Sequence, residues 1–193
     1  MNTLDNEALL RLIKTRRSIF PVSYINKPIT KELIMEFLEC AQQAPNHKLT
    51  EPWRFIVFRG DGLAKLATEL QAQYVNATSK ATFLEKKHQS IEEKVRRSGA
   101  IIAVCLHESG KVPRWEELAA VAASVQNLSL AASAKGVGSY WSSPATLSEM
   151  GPFLGLDSNE SCIGLLYLGY HNETPKEGNR QGLKDKVSWV ESR

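Results

Sequence analysis

The stretch WEELAAVAASVQNLSLAASAK, Trp115–Lys135, runs into GVGSYWSSP, Gly136–Pro144, and decides how the chain is read. Leu118, Val121, Ala122, Val125, Leu128 and Ala132 recur at helical spacing and predict a long helix with one apolar stripe. Its many Ala and Ser residues let a neighbouring helix approach closely. Gly136 follows as a left-handed stop, and Ser139–Trp141 reads as a short strand. Gln126 and Asn127 place two amides within this apolar helix. Buried amides need partners, from a dimer contact or from local backbone.

Outward from this segment, Ala100–Leu106 and Ser161–Gly169 are apolar runs of the kind that form buried strands, and Trp53–Arg59 is a third. Leu4, Ala8, Leu9, Leu12 and Ile13 predict an amphipathic helix over residues 5–17. Two prolines within 19–29 make a loop. Thr30 is placed to cap a second helix whose apolar face is Leu33, Ile34, Phe37, Leu38 and Ala41, and Pro45 closes it. Leu63, Leu66, Ala67, Leu70 and Tyr74 give a third helix. Glu85–Arg97, with five Lys/Arg and three acids, reads as a solvated helix or as a lid over residues 79–97. Helices outnumber strands and do not alternate with them, which predicts an α+β fold rather than a doubly wound sheet. No repeat or linker divides residues 1–193, so one domain is expected.

Composition limits the function. The chain has 193 residues, 42% of them hydrophobic and 23% charged, and its net charge is +3. Residues 171–193 carry five Lys/Arg against four Asp/Glu, so no basic block points to nucleic acid or to a membrane surface. Three separated cysteines, Cys40, Cys105 and Cys162, fit free thiols in apolar surroundings and a reducing, cytoplasmic setting. The N-terminus shows no basic segment followed by an apolar one, so no secretory signal is expected. Dinucleotide, phosphate-loop, zinc-helix and serine-nucleophile motifs are all missing, and the four histidines are too dispersed to suggest a metal.

Arg16-Arg17-Ser18 offers two guanidinium forks and a hydroxyl, enough to grip a phosphate, although the arginines also suit the negative end of the first helix. Ala44-Pro-Asn-His-Lys48, ahead of Glu51-Pro-Trp-Arg-Phe55, puts polar side chains in a loop beside a buried strand; an ordinary turn with His47 in solvent is the plain alternative. Lys111–Glu116 leads into the long helix, where Glu116 and Glu117 complement the helix dipole. Gly136–Pro144 can bring backbone close to a planar ligand, and it is equally a helix-to-strand loop.

In this order, with Arg180-Gln-Gly-Leu183 and Val187-Ser-Trp189 closing the chain, these segments resemble the nitroreductase family of FMN-dependent oxidoreductases. The Pro-Asn-His-Lys loop and the Lys111–Glu116 stretch look most like its compact NAD(P)H nitroreductase subgroup. The resemblance implies a central, mainly antiparallel sheet flanked by helices, in an intertwined homodimer with FMN sites built from both chains. It implies that Arg16, Arg17 and Ser18 hold the phosphate and ribityl end of FMN, and that Arg180 closes on the phosphate. It further implies that His47 reaches the flavin of the partner chain and that Trp141, Ser142 and Ser143 line the ring. Close subgroup relatives carry Arg where this chain has Ser142, and the wider family prefers proline and an acid at Gly182 and Lys184. The implied reaction is ping-pong: NADH or NADPH passes hydride to flavin N5, then an electron-poor nitroaromatic or quinone is reduced. No side-chain nucleophile is required. Dehydrogenation, reductive removal of a substituent, or flavin binding with little turnover are the alternative activities.

Overall fold

The apolar runs find each other as neighbouring strands. A computed structural model describes residues 6–174 and 178–191. Four strands, β1 (Trp53–Phe58), β2 (Ala100–His107), β3 (Val137–Ser142) and β4 (Glu160–Tyr170), form one antiparallel sheet in the order β1-β2-β4-β3. β2 is buried from Ala100 to Leu106 because both of its faces are covered. Ile102, Val104 and Leu106 face one core with Phe37 and Leu128; Ile101, Ala103 and Cys105 face another with Leu66, Leu70 and Met150. Coverage on both faces explains why the strand reads as an unbroken apolar run.

The helices are α1 (Asn6–Thr15), α2 (Lys31–Gln42), α3 (Asp61–Asn76), α4 (Glu85–Arg97), α5 (Arg114–Ala134) and α6 (Gly151–Leu154). Helices α2 and α5 cover one sheet face; α3 lies on the other. Thr30 caps α2 by accepting a hydrogen bond from the Leu33 amide at 3.2 Å, a cap worth about 1 kcal/mol. α5 stops where Gly136 takes φ +71°, a left-handed turn that glycine makes without strain. α4 buries Val95 alone of its residues and leans on α3, where Gln71 donates to the His88 carbonyl.

Several expectations need correction. α1 ends at Thr15, not at residue 17, because Ser18 leaves the helix to make a parallel bridge with Ser139. None of its described residues is buried: Leu9, Leu10 and Ile13 are each close to half exposed, and Leu4 lies outside the described residues. β3 is longer than the expected Ser139–Trp141, since pairing with β4 recruits Val137, Gly138 and Ser142. Ala122 is exposed because the buried stripe of α5 runs through Ala120, Val121, Ser124, Val125 and Leu128. Gln126 is consequently exposed as well, and Asn127 is only half-buried, donating to the Cys40 carbonyl at 3.3 Å. Cys40 is exposed, unlike Cys105 and Cys162.

Candidate functional site: an arginine corner on the edge strand

β3 is an edge strand, and the segment after α1 docks on its open side. The Ile19 amide donates to the Ser139 carbonyl at 3.1 Å. A Cβ on Gly138 would sit 2.8 Å from both Ile19 Cβ and His171 Cδ2, so only glycine permits this close approach. Docking fixes the direction of the two residues just before it, Arg16 and Arg17. Arg17 Nη1 donates to the Arg16 carbonyl at 2.7 Å, while its Nε is buried with no hydrogen-bond partner. Gly178 lies against the same guanidinium, where a Cβ would be 2.5 Å from Nη2.

Arg180 completes the corner from the C-terminal segment. Burial, and then the positive charges of Arg17 and Arg180, pull the Arg16 pKa below the ordinary arginine value. None of the three arginines forms an ion pair with a described carboxylate. Like charges gathered with a buried unused donor cost the folded chain energy that a bound anion returns. An open cleft of about 1310 Å³ is lined by Arg16, Arg17, Arg180, Gly178 and Gln126. A second cleft of about 580 Å³ lies beside Arg16–Phe20, Gly136 and His171. A phosphate fits this donor set: the corner supplies guanidinium forks, and although Glu7 lines the larger cleft and Glu173 the smaller one, no ion pair joins Glu7 to these arginines among the described residues.

Trp141 lies two residues along β3 from Ser139, about 7 Å away. Its indole rests directly on β4, where a Cβ added at Gly164 would come within 1.7 Å of Nε1. The ring is 37% exposed and thus offers a flat apolar surface. Ser142 closes β3 opposite Leu165, and Ser143 is exposed just beyond it. Arg16, Arg17, Ser18 and Arg180 therefore gather where the segment after α1 docks on the edge strand, while Trp141 lies further along β3, against Gly164, and lines neither cleft.

His47 is elsewhere. It opens a short turn between α2 and β1, and its Nδ1 lies 2.5 Å from Glu116 Oε2 in the first turn of α5. Ser133, beside the arginine corner, is seventeen residues further along the same helix, about 25 Å away. Lys48 and Leu49 have φ of +53° and +51°, and Glu51 +43°, which costs of order 1 kcal/mol or more per residue. Lys48 Nζ donates to the Lys111 carbonyl and Gln42 Nε2 to Glu51, pinning the turn from both sides. Sequence reasoning assigned Glu116 and Glu117 to the helix dipole. The structure places both in the first turn of α5, as expected, and in addition pairs Glu116 with His47 and buries Glu117 so that its carboxylate accepts the Ser109 amide. No sequence spacing signals contacts between residues 69 apart.

Fold and site define a class: a four-stranded antiparallel α+β protein with an arginine corner on its edge strand. The family model of the nitroreductase family matches residues 13–170. A Bacillus subtilis protein named "Putative NAD(P)H nitroreductase YfhC" is 32% identical over 188 residues, which cover 95% of each chain. The chain belongs to the nitroreductase family. The crystal structure of a nitroreductase-like family protein from Bacillus cereus is 28% identical and superposes with a TM-score of 0.84 over the whole of both chains. The FMN-dependent nitroreductase NfnB from Mycobacterium smegmatis, solved in complex with NADPH, shares the fold at 16% identity, with a TM-score of 0.77 over 96% of this chain and 99% of its own.

Proposed function

We propose that this chain is one FMN-dependent domain that oxidises NADH or NADPH and reduces an electron-poor acceptor, and that it works as a homodimer. The observation that carries the reading is the cluster of Arg16, Arg17 and Arg180 with the buried, unpartnered Nε of Arg17, docked against the strand that bears the exposed Trp141 indole. Family membership supports it, as does the NfnB complex with its FMN dependence and NADPH. Arg16, Arg17 and Arg180 hold the phosphate by charge-assisted hydrogen bonds, with Ser18 beside them. Trp141, Ser142 and Ser143 line the ring, with Trp141 supplying an apolar wall. When bound, FMN supplies two-electron chemistry in ping-pong order, from NAD(P)H to a nitroaromatic or quinone.

Two features favour a dimer. Leu9, Leu10 and Ile13 on α1, and Leu183, Trp189 and Val190 near the C-terminus, are exposed apolar side chains without a partner surface in the described chain. His47 pairs with Glu116 at the start of α5, about 15 Å along the helix from Gln126 in the arginine cleft, and is exposed there, open to a flavin site in a second copy. Purification tests the proposal. A yellow protein with one FMN per chain, bleached anaerobically by NADH or NADPH, is expected. A colourless protein that fails to take up added FMN refutes it, and a yellow protein that neither nucleotide bleaches is a flavin-binding protein instead.

A further inference from the structure

The pair formed by His47 and Glu116 has no role in holding the fold that matches its surroundings. His47 is exposed and Glu116 is partly so, and an ion pair in that setting contributes little to stability. Yet the turn bearing His47 is held in an unfavourable backbone conformation at Lys48 and Leu49, and it is braced on every side. Asn46 Oδ1 accepts the Glu51 amide at 3.0 Å, Gln42 bridges Glu51 and the Trp53 indole, and Lys48 reaches the Lys111 carbonyl. Glu116 is equally fixed, because its neighbour Glu117 anchors the first turn of α5 to the Ser109 amide. Backbone strain held in place by this many side-chain braces points to a geometry kept for use.

We propose that Glu116 is the positioning residue for His47. Its carboxylate accepts the Nδ1 proton, which fixes the imidazole ring and turns Nε2 outward as the group offered to a ligand. Nε2 makes no hydrogen bond among the described residues. A carboxylate on one ring nitrogen sets what the other can do, as it does wherever a histidine must present a defined face. The proposal rests on the flavin reading for the identity of that ligand: the flavin or acceptor in the site of a second copy. It goes beyond that reading in assigning Glu116 a task.

The test compares Glu116→Ala, Glu116→Gln and His47→Ala with the wild-type FMN-loaded protein, with ¹⁵N NMR of the His47 imidazole as a readout independent of turnover. Glutamine keeps an acceptor for the Nδ1 proton; alanine does not. In flavin-free protein the wild type and Glu116→Gln should both show a protonated, hydrogen-bonded Nδ1, which Glu116→Ala loses. FMN loading should then shift the Nε2 resonance. In turnover, His47→Ala and Glu116→Ala should each lower kcat/KM for the acceptor by about tenfold or more. The double variant should be no worse than either alone, and Glu116→Gln should stay near wild type. The Tm of the flavin-free protein should be unchanged throughout. The proposal is overturned if Glu116→Ala leaves the imidazole spectrum intact, if Glu116→Gln is as impaired as Glu116→Ala, or if the two alanine effects multiply. Failure of the wild type to bind FMN would instead refute the flavin reading, while the NMR comparison still decides the pairing.

Discussion

Gly164→Ala tests whether the indole of Trp141 is held where the site needs it. A methyl group at position 164 would lie 1.7 Å from Trp141 Nε1 and 2.5 Å from Cδ1, so the ring must leave its seat on β4. At 37% exposure, about 160 Å² of a roughly 250 Å² indole is covered. Releasing all of that area costs about 4 kcal/mol at ~25 cal/mol per Å², and a displaced ring that keeps half of it loses about 2 kcal/mol. For a chain of this length the expected fall in Tm is roughly 4–15 °C. The strand itself should survive, since Gly164 has an ordinary negative-side backbone and pairs with Val104. Circular dichroism, thermal melts and FMN titration follow the variant, and flavin affinity should fall because the apolar wall has moved. A Trp141→Ala background supplies the decisive control. With no indole to displace, Gly164→Ala should cost almost nothing further, so the two changes are strongly non-additive. A Gly164→Ala protein with Tm within about 1 °C of wild type, or costs that simply add, would refute the reasoning.

Arg17→Ala removes the unpartnered donor and one of three like charges, so FMN affinity should fall by about 10–100-fold, equivalent to roughly 1.5–3 kcal/mol, by equilibrium titration. Its flavin-free Tm should barely move, because repulsion is relieved as the bond to the Arg16 carbonyl is lost. Glu160 gives a pH dependence. Burial opposes its ionisation, but the Asp157 amide, Arg54 and His107 prevail and hold its pKa below the usual carboxylate value. A depressed folded-state pKa stabilises the protein above the unfolded value of about 4.3 and loses that contribution as pH falls through the folded value. Glu160→Gln should therefore lower stability at pH 7 and flatten the acid limb of a denaturation series. Ile13→Asp should dissociate the proposed homodimer in sedimentation while leaving the far-ultraviolet spectrum intact, since Ile13 is about half exposed within one chain.

Local pattern is enough to write most of the elements. The limits of α4 coincide with the charged run Glu85–Arg97, Thr30 caps α2, and Gly136 ends α5 in the left-handed region, because each depends on a few adjacent residues. Of the candidate site, Arg16, Arg17 and Ser18 are legible as a contiguous triplet able to grip a phosphate, whereas Trp141, Ser142 and Ser143 enter only through the resemblance to the nitroreductase family. What covers each surface is not written locally. α1 has a clear apolar stripe, yet Leu9, Leu10 and Ile13 stay uncovered within the chain, because periodicity shows that a face is apolar and says nothing of what it meets. Cys40 likewise differs from Cys105 and Cys162 only through its place on α2.

The sequence by itself determined the order of the five longer helices and the four strands and the α+β class, which follow from spacing; side-chain chemistry marked Arg16-Arg17-Ser18 for a phosphate, and only the resemblance to the nitroreductase family supplied the ring contacts and Arg180. Only the tertiary structure decided that Gly138 and Gly178 make room for the arginine corner, that Gly164 seats the Trp141 indole, and that His47 belongs with Glu116 at the far end of α5. Those contacts join residues from 23 to 161 positions apart. Their formation depends on how strands pair and helices dock, and a linear pattern carries no measure of distance across the fold.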